Sequence, residues 1–139
     1  MESKIIEVSV TVKSSLDTIW ECWSDPKHIV NWNFASDDWC APRATVDLRS
    51  GGSFLCRMEA KDGSMGFDFN GIYDLVQPKD RIEYTLEDGR MVSIHFMKDN
   101  EGILVVEKFE AENENSLELQ QTGWQAILNN FKQYVESIS

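Results

Sequence analysis

"SLELQQTGWQAILNNFKQYVESI" occupies residues 116–138. It has no proline and a single glycine, Gly123. Trp124, Ile127, Leu128, Phe131, Tyr134, Val135 and Ile138 recur at i, i+3, i+4 and i+7, the spacing of one helical face. The pattern predicts an amphipathic helix of about 20 residues or slightly more, roughly 30 Å long. The preceding "NENS" supplies turn residues, with Asn115 or Ser116 as the N-cap and Glu118 in the first turn. An apolar stripe of that length must be covered, so the rest of the chain has to provide a matching apolar surface.

Working outward, that surface reads as a sheet. Residues 44–110 break into short alternating runs separated by turn signals. "ATVDLR" ends at Gly51-Gly52, "SFLCRMEA" at "KDGS" and "MGFDFNGIYDLV" at "QPKD". "RIEYTL" then ends at "EDGR" and "MVSIHFM" at "KDNEG", and "ILVVEKFEAE" closes the series. Asp62-Gly63 and Asp88-Gly89 are strong hairpin signals, and short loops pair sequence neighbours antiparallel. Upstream, "KIIEVSVTVKS" (4–14) places Ile6, Val8, Val10 and Val12 on one face and Glu7, Ser9, Thr11 and Lys13 on the other, which is a strand with one wet face. "SSLDTIWECWSD" follows with Ser15 as N-cap and Leu16, Ile19, Trp20 and Trp23 at helical spacing. Asp25-Pro26 breaks it, and Pro26 starts a second short helix, "PKHIVNWNF". The prediction is an α+β domain spanning 1–139. One strand precedes two short helices, six more strands and the long helix, and the curved antiparallel sheet of about seven strands wraps round that helix. Such an arrangement tends to enclose a space.

Composition narrows the function. The 139 residues suit one domain, and 15 aromatics (5 Trp, 7 Phe, 3 Tyr) exclude disorder. The net charge of −11 repels phosphate backbones and anionic lipid, so no nucleic-acid partner is expected. No segment has the apolar length of a membrane span, and no signal-peptide pattern opens the chain. Cys22, Cys40 and Cys56 are odd in number and lack CxxC spacing, which fits reduced thiols and a cytoplasmic location.

The stretches "WECWSDPKHIVNW", "DLRSGGSFLCRMEAKDG", "GFDFNGIYDLVQPKDRIEYTLEDGR" and "ELQQTGWQAILNNFKQYVE" together resemble the START-like, Bet v-type helix-grip superfamily (SRPBCC). Within it, the chain is similar to the group sharing the fold of the C-terminal domain of the heat-shock-protein-90 ATPase activator. "DLRSGGSF" and "GWQAIL" are the most specific elements, and the resemblance covers nearly the whole chain. It implies the helix-grip fold, an internal cavity and a small hydrophobic ligand. Its members include lipid carriers, polyketide cyclases, hydroxylase-linked domains and chaperone activators, so it implies no single activity. No counterpart of the activator's other domain is found in the sequence, so a direct chaperone role is not expected.

Residue by residue, metal and covalent chemistry find little support. His28 and His95 have no partner at ligand spacing, so no metal is expected. Cys40 has Arg43 nearby as a possible activator, but a free cysteine ordinarily packs as a hydrophobe. No nucleophile elbow, dinucleotide fingerprint or Walker loop occurs, and no cofactor is expected. The strand faces give the candidate cavity. Phe54, Cys56 and Met58 share one face, as do Phe67, Phe69, Gly71 and Tyr73, then Ile82, Tyr84 and Leu86, then Val92, Ile94 and Phe96. With Trp124, Leu128 and Phe131 of the helix they form either a pocket or a filled core. Gly71 leaves room for a cavity or for a close backbone approach. Glu107 alternates with Val105 and Phe109; it points into an apolar space if that face is concave, and into solvent or onto a basic partner if the register is reversed. "NWNFASDDWCAP" (31–42) mixes aromatics with acids. Trp32, Phe34 and Trp39 are expected at one end of the space as a lid or a plug, with Asn33, Asp37 and Asp38 at its rim.

The reading is a binding module for a small hydrophobic molecule, with no membrane insertion and no known catalytic residue. The alternatives are a polyketide cyclase- or aromatase-like enzyme using Glu107, Asp37, Asp38 or Tyr73, or a stress-associated protein with an unspecified protein partner.

Overall fold

The structure, a computed structural model, describes residues 4–138. The alternation in 4–14 becomes strand β1 (Ile5–Val12). Helix α1 (Leu16–Ser24) starts at Ser15, whose hydroxyl accepts from the Thr18 N–H at 3.1 Å. Helix α2 (Pro26–Ile29) starts at Asp25, which accepts from the Lys27 N–H at 2.9 Å. Six strands follow: β2 (Trp39–Val46), β3 (Ser53–Ala60), β4 (Gly66–Gln77), β5 (Arg81–Leu86), β6 (Met91–Lys98) and β7 (Ile103–Glu110). Helix α3 (Leu117–Ile138) closes the chain's described part. Ser116 caps it, accepting from the Leu119 N–H at 3.0 Å, so Asn115 is not the cap.

Two elements differ from the sequence reading. The second short helix ends at Ile29 instead of reaching Phe34. Trp32 turns inward there, and its indole N–H donates to the Cys22 carbonyl at 3.0 Å. That tertiary bond outweighs local helical preference. The next strand runs over 39–46, not 44–49. Its alternation is hidden by a bulge between Cys40 and Arg43, which breaks the period of two. It ends early because the turn at 47–52 needs Gly51 at φ +88° and holds the Asp47 carbonyl where a Cβ on Gly52 would stand.

The sheet order is β1-β7-β6-β5-β4-β3-β2, antiparallel throughout. Helices α1 and α2 carry the chain from one edge to the other. Bulges in β2 and between Tyr73 and Leu75 in β4 bend the sheet, so it curls round α3 as the helix-grip fold. Helix α3 also runs along the free edge of β1. Gln121, Gln125 and Lys132 donate to the carbonyls of Glu7, Ser9 and Thr11 at 3.4, 2.9 and 2.7 Å. Glu136 accepts from the Lys13 N–H at 2.8 Å.

The interior is uneven. Towards the C-terminal half of α3, Leu128, Phe131 and Val135 are fully buried. Phe131 packs edge-on to Trp23 and Trp32, with ring centroids 4.9 and 4.8 Å away, and Trp20 and Trp23 meet Phe96. Each such buried side chain stabilises the fold by about 1.5–3 kcal/mol. The N-terminal half of α3 stands off from β3–β5, and the space lies there. No helix among the described residues is long and apolar enough to cross a membrane.

Candidate functional site

A pocket of about 380 Å³ lies between the first half of α3 and the concave sheet face. Strands β2 to β5 and β7 form its floor, through residues such as Ala44, Phe54, Cys56, Met58, Phe69, Tyr73, Tyr84 and Glu107. Gly123, Trp124, Ile127 and Leu128 of α3 form its roof, and Trp23, Ile29, Trp32 and Asn33 close one end. The aromatic rings are fixed by one another. Phe54 sits 4.7 Å from Tyr84 and 5.1 Å from Tyr73, and Trp124 stacks on Phe109 at 3.8 Å with planes 11° apart. Such pairs add about 0.5–1.5 kcal/mol each beyond area burial. The start of α3 is tied to the end of β7 through Gln120. It accepts from the Glu112 N–H at 2.9 Å and donates to the carbonyls of Glu112 and Asn115 at 3.1 and 2.9 Å.

Glu107 is the polar group in this wall. Its register partners are Val8 on β1 and Ile94 on β6, which set its side chain on the concave face. It is 6% exposed. Among the described residues no hydrogen bond or ion pair reaches its carboxylate. Burial raises its pKa from 4.5 to about 8, because the charged form loses its hydration. Burial, and secondarily the Glu107 charge, hold the Tyr84 hydroxyl well above its usual range. Burial, then Asp47, does the same for Tyr73, and burial raises the Cys56 thiol against a smaller opposing hydrogen bond from Asn33. At neutral pH these four groups are predominantly uncharged. Arg90 also lines the pocket, but its guanidinium is held by Asp88 at 2.7 Å and by the Glu110 carbonyl at 3.4 Å.

Of the candidates drawn from the sequence, Trp32, Phe54, Cys56, Met58, Phe67, Phe69, Tyr73, Tyr84, Glu107, Trp124 and Leu128 lie on the pocket wall. Phe67 does so from an exposed strand end, at 47% exposure. Phe34, Trp39, Ile94, Phe96 and Phe131 do not line it. Ile94, Phe96 and Phe131 belong to the filled end of the core, Trp39 packs on Phe67 at 5.9 Å, and Phe34 offers its carbonyl to Asn130 at 2.5 Å. Asp37 and Asp38 are exposed and off the wall. Gly71 makes no room for a cavity: a Cβ there would strike the Thr85 carbonyl and meet the Phe54 ring at 3.1 Å. Asn33, expected at the rim, lies on the wall. Sequence reasoning missed Trp23, Arg90 and Gln120, which sit on α1, in a hairpin and in the first turn of α3, outside the strand periodicity that carried the search.

Elsewhere, Glu21, Asp25 and His28 bring ligand-type atoms within 4.8 Å of one another. Asp25 caps α2, and His28 Nδ1 shares a 2.6 Å hydrogen bond with the Tyr134 hydroxyl. Asp25 and His28 thus already have structural roles.

A family profile described as Activator of Hsp90 ATPase homolog 1-like protein matches residues 13–136. Among solved structures, the AHSA1-like protein from Aeromonas hydrophila is 41% identical with a TM-score of 0.91, over 97% of this chain and 94% of that one. A protein from Cytophaga hutchinsonii is 47% identical with a TM-score of 0.80, over 98% and 93%. A Chromobacterium violaceum protein, 20% identical over 96% and 98% with a TM-score of 0.82, shares the fold. No curated protein sequence matches the chain.

Proposed function

The chain belongs to the Activator of Hsp90 ATPase homolog 1-like family, and on that premise we propose that it is a binding module for a small, largely hydrophobic molecule. The observation that carries this reading is the aromatic-walled pocket with one unpartnered buried carboxylate. The walls supply apolar area, and Glu107 supplies orientation, the usual division of labour in a small-molecule site. A cytoplasmic location fits the three free thiols.

Gly123 offers a direct test. It lines the pocket, and a Cβ added to it meets nothing within 4 Å. Gly123→Leu should fill the space and favour α3 by about 1 kcal/mol, since glycine is the weakest helix former after proline. The neutral fluorophore N-phenylnaphthylamine should bind the unaltered protein saturably, one molecule per chain, and at least tenfold more weakly after the substitution. Equal binding by a folded Gly123→Leu variant would place the probe elsewhere and remove the support.

A cyclase-like enzyme is the second reading, because the Glu107 charge adds to burial in holding the Tyr84 hydroxyl above its usual range. Glu107 would then act as a general base near neutral pH. No hydrogen bond joins the two, which is why binding ranks first. A rate of enolisation or cyclisation with a model polyketone that vanished in Glu107→Gln would reverse that order.

A further inference from the structure

The pocket's polar content selects among hydrophobic ligands. Its wall groups without a hydrogen-bond partner include the Tyr73 and Tyr84 hydroxyls and the Glu107 carboxyl; of these Glu107 alone is an acid that ionises near neutral pH, and its aromatic π-systems attract cations. Its one basic residue, Arg90, is already engaged by Asp88 and the Glu110 carbonyl. A carboxylic acid ligand would set a second acid beside Glu107. A neutral ligand would leave the carboxylate without a counter-charge whenever it ionises. The net charge of −11 favours approach of cations to the whole molecule.

We propose, building on the binding-module reading, that the occupant is an apolar amine whose ammonium pairs with the Glu107 carboxylate against the aromatic wall. The ammonium donates to a carboxylate that has no partner in the free protein, a charge-assisted contact. Free Glu107 is mostly protonated at pH 7, so pairing expels its proton to solvent. The carboxylic acid and the ammonium ion become a carboxylate–ammonium pair and one released proton. The other titratable or charged groups on the pocket wall are Cys56 on β3, Tyr73 on β4, Tyr84 on β5, Arg90 in the turn after β5, and Glu112 beyond β7. The lining contributed by α1, α2, β2 and α3 has none. Cys56, Tyr73 and Tyr84 stay protonated across pH 6–8, because burial raises each of them. Glu107 is therefore the group that sets the pH dependence.

Calorimetric titration with naphthylethylamine, its alcohol isostere naphthylethanol, and naphthylacetic acid tests this at pH 6, 7 and 8 in buffers of differing ionisation enthalpy. With Glu107 at about 8 in the free protein, amine binding at pH 7 should release about 0.9 proton, and affinity should rise about ninefold from pH 6 to 7 and about fivefold from 7 to 8. Naphthylethanol should bind more weakly with no such trend, and naphthylacetic acid most weakly. Glu107→Gln should abolish both the proton release and the preference for amine. If that variant does not fold, proton release by the unaltered protein decides alone. Alcohol binding as tight as amine binding, without proton release, would overturn the amine assignment while leaving the pocket reading intact. If none of the three binds and N-phenylnaphthylamine also fails, the binding-module reading falls and this inference with it.

Discussion

Replacing Glu107 by glutamine should stabilise the protein, by an amount that grows with pH. The carboxyl titrates at 4.5 when exposed and at about 8 when buried in the fold. The folded state therefore holds the proton more tightly than the unfolded chain. A raised folded value gives stability that is fully present below pH 4.5 and is lost as pH climbs to 8. Relative to acid conditions, this one group costs the native state about 3 kcal/mol by pH 7 and about 5 kcal/mol above pH 8. Glutamine keeps the shape and cannot ionise, so the two proteins should be nearly equal at pH 4.5 and should diverge at about 1.4 kcal/mol per pH unit. Urea unfolding at pH 5, 6 and 7, with circular dichroism as the signal, measures the divergence. Other carboxylates titrate alike in both proteins and cancel in the difference. A gap independent of pH, or a less stable glutamine variant at pH 7, would mean that Glu107 has a partner in the folded state and would refute the reasoning.

Two further substitutions probe the architecture. Phe131→Ala removes a fully buried ring wedged against Trp23 and Trp32, and should cost about 3–5 kcal/mol in chemical denaturation while the folded fraction still binds N-phenylnaphthylamine, because Phe131 is off the pocket wall. Gly71→Ala sets a methyl against the Thr85 carbonyl and the Phe54 ring; it should cost about 1–3 kcal/mol, and an unchanged denaturation midpoint would show that β4 and β5 yield there.

Much of the frame could be read from sequence because local signals and global packing agree. Asp-Gly turns fix the hairpins, so β3 and β5 fall on the residues expected from alternation alone. Helix α3 is equally plain, since a 22-residue apolar stripe has one reading. Agreement fails where one long-range contact overrides the local pattern, as at Trp32, or where a bulge shifts the period, as in β2. The candidate site shows the same limit. Alternation identifies which face a residue occupies but not how far along the strand it lies. Ile94 and Tyr84 both face inward, yet one meets the filled core and the other the pocket. Glu107 is the sharpest case: its direction depends on pairing with Val8 and Ile94, 99 and 13 residues away in the chain.

The hydrogen bonds from α3 to the outer edge of β1 have a consequence for self-association. A curved sheet of this kind polymerises most readily by adding strands at its margins. At one margin, the carbonyls of Glu7, Ser9 and Thr11 are already taken by Gln121, Gln125 and Lys132. At the other, β2 carries Pro42, which has no N–H to donate, beside a bulge that twists the strand. A fibre needs two open margins to grow, and both are blunted here by different means. Helix α3 thus serves solubility as well as the pocket: loosening its polar side frees a templating edge, and concentrated protein would then aggregate while its core was still folded.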